Sequence, residues 1–175
     1  MPIKSRIRTI PDHPKPGIQF RDITTLLQDP IGLRLAVDGL ADAFRDCAID
    51  KVAGIEARGF IIGAAVAKEL GKGFVLLRKA GKLPYQTLGF DYELEYGTDR
   101  IEAHVDAVSP GERVLLVDDL VATGGTCEAA IRVLEALGGE VVGVAAVVDL
   151  PDVGGRRRIE ALGHKLVALC AYEGD

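Results

Sequence analysis

The chain has 175 residues, 48% of them hydrophobic and 27% charged, with a formal net charge of -5 at neutral pH. That is the size and make-up of one globular domain with a full core, and it excludes a disordered chain. The acidic balance gives no electrostatic case for nucleic acid as a partner, and the longest apolar run, residues 141–148, falls far short of the ~20 residues of a membrane helix.

Residues 3–10 interleave Ile3, Ile7 and Ile10 with Lys4, Arg6 and Arg8, a short amphipathic pattern. Residues 11–17 form a proline-rich loop, and Ile18 to Ile23 follow it. Asp29 and Pro30 have the chemistry of an N-cap and a first helical residue, so a helix is expected to about Cys47. Leu33, Val37, Leu40, Ala41 and Phe44 give it an apolar stripe. Residues 52–55 suit a strand, and the chain turns at residues 56–60 into a helix that ends near Leu70, with Gly71 as its stop. Residues 74–77 read as the next buried strand. From 78 to 106 the texture changes. Gly81, Pro84, Gly89 and Gly97 punctuate it, and residues 92–96 alternate as in a strand or hairpin, with Glu93 and Glu95 opposite Leu94. A long segment of this kind suits a flexible hairpin lid, about residues 79–106.

An apolar run at 114–117 follows, then Asp118 and Asp119 where that strand should end, then a small-residue turn and a helix over about 127–137. Residues 141–148 are another buried strand, 149–155 a loop, 159–162 part of a short helix and 165–170 a last strand. Strands alternating with helices predict a single α/β domain, 1–175, with a central mainly parallel sheet flanked by helices. Ligands of such sheets lie at the carboxyl ends of the strands. Four of those ends carry polar or unusual residues: Glu56 to Arg58, Arg78 and Lys79, Asp118 and Asp119, and Asp149 with Leu150. Cys47, Cys127 and Cys170 are odd in number and widely spaced, as reduced thiols of a cytoplasmic protein would be. Residues 1–4 lead into charged sequence, so no signal peptide is expected.

The stretch from Val114 to Thr126 carries the chemistry. Ala122, Thr123, Gly124, Gly125 and Thr126 make a turn at a helix start, where backbone N–H groups and two hydroxyls can meet a phosphate. Asp118 and Asp119 would repel that phosphate, so they should face vicinal hydroxyls or a metal beside it. Neither the Walker pattern nor the dinucleotide fingerprint is present. One Asp would suffice for a helix cap, so the acidic pair with two glycines favours phosphate binding. Arg58 beside Gly59 offers a second anion site. The basic loop at 78–84 and the run Arg156 to Arg158 read first as solvated charge. Glu93 and Glu95 read first as the wet face of a hairpin. His13, His104 and His164 suggest no metal and no catalytic role.

The run from 114 to 126 resembles the phosphoribosyl-diphosphate (PRPP) motif of the type I phosphoribosyltransferases. Residues 16–23, 56–60, 78–84 and 94–97 extend the resemblance to nearly the whole chain, and Phe20-Arg21-Asp22-Ile23 with Leu94-Glu95-Tyr96-Gly97 narrows it to the adenine branch. The resemblance implies purine salvage by pentosyl transfer: adenine and PRPP give AMP and pyrophosphate, with magnesium, through a ribosyl-cation-like transition state. It implies that Asp118 and Asp119 hold the ribose hydroxyls and that residues 122–126 hold the 5′-phosphate. Arg58, Arg78, Lys79 and Lys82 would stabilise the departing pyrophosphate. Gln19, Phe20, Arg21 and Leu150, with an N-terminal segment of about 11–25, would take the adenine, while Glu95 orients its proton and Tyr96 closes over the site. Magnesium would be held through PRPP, with a water link to Asp118. A homodimer is implied too, with Arg78 reaching the neighbouring site. Two rivals stay open: a relative using hypoxanthine or guanine, and a PRPP-binding regulator without catalysis.

Overall fold

The computed structural model describes residues 3–174. Met1, Pro2 and Asp175, at the ends of the expected domain, lie outside them. In chain order the elements are β1 (Arg8–Pro11), β2 (Gln19–Asp22), α1 (Thr24–Leu27), α2 (Pro30–Phe44), β3 (Lys51–Ile55), α3 (Arg58–Leu70), β4 (Gly73–Lys79), β5 (Thr87–Glu93), β6 (Thr98–His104), β7 (Arg113–Val121), α4 (Gly125–Ala136), β8 (Glu140–Asp149), α5 (Gly155–Ala161) and β9 (Leu166–Ala171). A seven-stranded sheet runs β5-β6-β4-β3-β7-β8-β9, parallel from β4 through β9 and antiparallel where the β5–β6 hairpin joins β4. This is the expected α/β class. Among the described residues no helix is long and apolar enough to cross a membrane.

Strand alternation divides the core into two layers. Val114 and Leu116 of β7 join Ala130, Ile131 and Leu134 of α4 on one face. Leu115 and Val117 join Leu40 of α2 and Ile62 and Val66 of α3 on the other. The helix signals hold: Asp29 accepts from the Ile31 N–H at 3.1 Å, Pro30 opens α2, and Gly71 ends α3 at φ 67°.

Several boundaries differ from expectation. β7 does not stop at Val117. It continues through Asp118 and Asp119 to Val121, because β8 pairs with it as far as Val121↔Asp149, whereas β3 leaves it after Gly54↔Val117. The acidic pair therefore stands inside a strand that has lost one neighbour. α2 ends at Phe44, short of Cys47, which is exposed, and α4 begins at Gly125. Residues 92–96 are not one alternating strand. β5 ends at Glu93, the Leu94 N–H donates to the Gly97 carbonyl at 2.9 Å, and residues 94–97 are the hairpin's turn. Tyr92 is buried while Leu94 and Tyr96 are exposed, so the same-side reading of Glu93 and Glu95 does not apply. Near the N-terminus, β1 and β2 pair as a separate antiparallel ribbon that sequence reading did not assign.

Candidate active site

The carboxyl ends of β3, β4, β7 and β8 meet at one rim, as the strand ends predicted. A cleft of about 120 Å³ opens there, lined by Asp118, Ala122, Thr123, Gly124, Thr126 and Cys127 among others. Its floor is the turn from β7 into α4. Gly124 takes φ 80°, a left-handed conformation that favours glycine, and lets α4 start at Gly125. The first N–H groups of α4 have no helical carbonyl to accept them, so they and the dipole behind them favour an anion. The turn is braced from behind. The Gly155 N–H donates to the Ala122 carbonyl at 2.8 Å, and a Cβ on Gly155 would stand 2.4 Å from that oxygen. In the sequence Gly155 belongs to a loop, since nothing local marks a contact made 33 positions away.

The two aspartates part company. Asp119 forms an ion pair with Arg58, at the first turn of α3. Burial works against the Arg58 charge, but Asp119 outweighs it and raises the guanidinium above its ordinary value. Asp118 lines the cleft instead, its carboxylate accepting the Asp119 N–H at 2.8 Å. Burial first, and the charge of Asp119 second, push the Asp118 carboxyl well above the usual range. Gly59 allows this proximity, since a Cβ there would lie 3.1 Å from Asp118 Oδ1. Cys127 sits beneath, its thiol pushed up by burial and by both aspartates.

The basic residues gather, but on two faces of the sheet. Arg78 lies opposite Glu102, and Lys79 opposite Ile101. Arg78 Nε is 3.5 Å from Glu56 Oε1, and its guanidinium stands over the Phe60 ring at 6.0 Å. Lys82 Nζ reaches Glu56 Oε2 at 2.8 Å, and the Lys79 N–H donates to Glu56 Oε1 at 2.6 Å. Burial pushes Glu56 up, but Lys82 and the Lys79 N–H outweigh it and hold it below its usual value. The Lys79 ammonium turns to the other face and pairs with Asp99 at 3.0 Å. Glu56 thus organises the basic group, a role the sequence did not reveal because its partners lie more than 20 residues away.

The N-terminal segment meets the hairpin tip. Lys15 Nζ is 3.0 Å from Glu95 Oε2 and 4.9 Å from the centre of the Tyr96 ring. Phe20 packs edge-on to His13, with ring centres 5.0 Å apart, and lies opposite Ile10 in the ribbon. Gln19 pairs across the ribbon with Pro11. The Arg21 guanidinium lies 4.1 Å from the centre of the Tyr172 ring. Tyr172 in turn donates its N–H to the Asp149 carbonyl at 3.1 Å, and the next residue, Leu150, donates to Val121 at 3.0 Å. β2 is thereby tied to the end of β8. The run Arg156 to Arg158 is more than a solvated face: Arg156 pairs with buried Asp149 at 2.7 Å, and Arg158 pairs with Glu128.

The chain is thus a mainly parallel sheet whose rim carries a glycine turn, paired carboxylates and basic side chains, and the model of the phosphoribosyl transferase domain family matches residues 22–163. Over all of its length the chain is 63% identical to the whole of the adenine phosphoribosyltransferase of Nitrosospira multiformis. Among solved structures it is similar to the adenine phosphoribosyltransferase of Rhodothermus marinus, at 53% identity and a TM-score of 0.92 over 98% of this chain and 97% of that one. It is also similar to the Saccharomyces cerevisiae enzyme solved with an imino-altritol bisphosphate and adenine, at 35% identity and a TM-score of 0.90 over 97% of each chain. The chain belongs to the adenine phosphoribosyltransferase family.

Proposed function

We propose that the protein transfers the phosphoribosyl group of PRPP to adenine, releasing pyrophosphate and leaving AMP, as a purine salvage transferase of the cytoplasm. The observation that carries this reading is the turn at residues 122–126 opening α4 beside Asp118, with Arg58 across from it on Asp119. The turn supplies N–H groups and hydroxyls for the 5′-phosphate and fixes the ribose carbon against the incoming nitrogen. Asp118 and Asp119 accept the ribose hydroxyls, and their negative charge favours the cation that develops as the pyrophosphate bond breaks. Arg58, Arg78, Lys79 and Lys82 meet the charge growing on pyrophosphate. For Arg78 and Lys82 that means exchanging Glu56 for the substrate, and for Lys79 exchanging Asp99.

Gln19, Phe20, Arg21 and Leu150 form the base-binding side in this reading. Glu95 orients the adenine proton, and Tyr96 covers the site when residues 79–106 act as a lid. The Lys15 contact with Glu95 supports a tip that closes on the base-binding segment. Among the described residues no three His, Cys, Asp or Glu side chains form an all-protein metal site. Magnesium, which keeps several waters and takes one or two carboxylates plus phosphate oxygens, suits a donor set of Asp118 and the substrate. When bound it would neutralise pyrophosphate charge. The three unpaired cysteines support a cytoplasmic setting. A homodimer belongs to the same reading, supported by Leu76 of β4, which is exposed on the strand face that Arg78 continues.

Adenine-dependent pyrophosphate release from PRPP and magnesium tests the proposal, with hypoxanthine and guanine run in parallel. Release with adenine alone is expected. Equal rates with hypoxanthine would overturn the base assignment, and PRPP binding without release from any base would make the chain a regulator.

A further inference from the structure

Four cations are assigned above to pyrophosphate, and each stands against a carboxylate: Arg58 on Asp119, Lys79 on Asp99, and both Arg78 and Lys82 on Glu56. Asp119 has a further part toward ribose in that reading, and Asp99 also accepts from the Tyr92 hydroxyl and the Arg100 N–H. Glu56 differs. Among the described residues, every hydrogen bond and ion pair of its carboxylate comes from residues 78–82. Oε1 accepts the Lys79 N–H at 2.6 Å and lies 3.5 Å from Arg78 Nε, while Oε2 accepts from Lys82 Nζ at 2.8 Å. The Glu56 N–H donates to the Leu77 carbonyl at 3.0 Å, and the side chain is only 9% exposed, against 32% for Arg78 and 46% for Lys82. The carboxylate is therefore fixed at the end of β3, and the two cations can swing away from it. Arg78 is the looser of them: its Nε is buried and makes no hydrogen bond, so its tie to Glu56 is Coulombic.

We propose that Glu56 competes with pyrophosphate for Arg78 and Lys82, and so sets how readily that product leaves. The inference rests on the reading of the site given above. A carboxylate and a phosphate oxygen offer a guanidinium or an ammonium the same thing, a negative acceptor at about 2.7–2.9 Å. While PRPP or pyrophosphate is bound, its oxygens take the two cations, and Glu56 keeps the Lys79 N–H. As pyrophosphate departs, Glu56 gives Arg78 and Lys82 an anion to return to. Without that return the two cations would be left facing each other, and pyrophosphate would be held the harder. The affinity for pyrophosphate is thus a difference between two anionic occupants of one pair of cations. Glu56 acts through Arg78 and Lys82 rather than on the reacting atoms, so it is a positioning residue.

The test is Glu56→Gln, which keeps the shape and one acceptor oxygen but not the charge, with Glu56→Asp as the charge-retaining control. Calorimetry with magnesium pyrophosphate and with AMP reads the two products, and steady-state kinetics read product inhibition. Glu56→Gln should bind magnesium pyrophosphate about fivefold more tightly and be inhibited at a correspondingly lower concentration. AMP affinity and the adenine KM should stay within about twofold of the parent, and Glu56→Asp should stay near the parent throughout. In a Lys82→Met background the gain from Glu56→Gln should shrink to about twofold, since one of the two contested cations is gone. Unchanged or weaker pyrophosphate binding in Glu56→Gln would overturn the proposal, the weaker result making Glu56 a brace for the loop or a ligand of the metal. An undiminished gain in Lys82→Met would overturn it too. If Glu56→Gln does not fold, carbon-13 NMR of the parent decides. The Glu56 carboxyl signal, assigned through Glu56→Asp, should move when magnesium pyrophosphate is added and stay in place with AMP, and a signal unmoved by both would refute the competition. A parent protein that binds pyrophosphate but releases none from PRPP with adenine would defeat the functional reading instead, and the affinity comparison would still decide the part played by Glu56.

Discussion

Asp118 occupies a position that suits chemistry better than stability. Its carboxyl is raised by burial first and by the charge of Asp119 second, so the folded state gives up its proton less readily than the unfolded chain does. The stability it contributes is complete below the ordinary value of 3.8 and is lost as pH climbs through the raised one. Asp118→Asn removes that burden. It should raise the melting temperature by about 2–4 °C near pH 8, with a gain that shrinks toward pH 4. Adenine-dependent turnover should fall by about tenfold or more, since an amide cannot favour the ribosyl cation as a carboxylate does. Thermal melts at both pH values beside the pyrophosphate assay check this. Asp22 has the opposite sign. Arg8 first, and then the Thr24 hydroxyl and N–H, hold it down at about 2, so its contribution is complete above 3.8 and is lost as pH falls from there through about 2. At this scale the acidic pair was plain in the sequence, but the division of labour between its members was not. It depends on Arg58 arriving from another element.

The turn from β7 to α4 depends on an element that its own sequence does not mention. A methyl on Gly155 would meet the Ala122 carbonyl at 2.4 Å, Val121 Cγ1 at 2.7 Å and the Gly124 nitrogen at 2.9 Å. Two of the three are backbone and cannot step aside cheaply. Gly155→Ala should therefore displace the phosphate turn, weaken PRPP by about tenfold or more and cost about 1–3 kcal/mol of stability. Calorimetry with AMP and denaturant unfolding would read the two effects. The helices were legible from caps and periodicity, because Asp29, Pro30 and Gly71 act locally. The hairpin was legible as a change of texture but not in register, since Tyr92 and Asp99 become neighbours only through cross-strand pairing. The length of β7 was hidden for the same reason. Its last residues are strand because β8 extends beside them, although their own polarity argues for a loop.

At the scale of the molecule, one sheet separates two apolar layers, with Leu40 of α2 buried in one and Ile131 of α4 buried in the other. Leu40→Ala and Ile131→Ala should each cost about 2–5 kcal/mol. With no shared neighbours across the sheet, the double variant should show their sum to within about 0.5 kcal/mol in urea titrations. Alternating apolar strands and helices made this architecture readable, and the convergence of four strand ends made the rim readable. The β1–β2 ribbon and the Arg156 contact with Asp149 were not, because short charged segments carry no periodicity and declare their partners only after folding. Cys127 lies at the seam between the sheet and α4, beneath the cleft and 2% exposed. A thiol reagent can reach it only when that seam parts. In a chain whose exposed Cys47 and partly exposed Cys170 have been replaced, the labelling rate of Cys127 becomes a clock for breathing at the heart of the protein, and a ligand seated above should slow it.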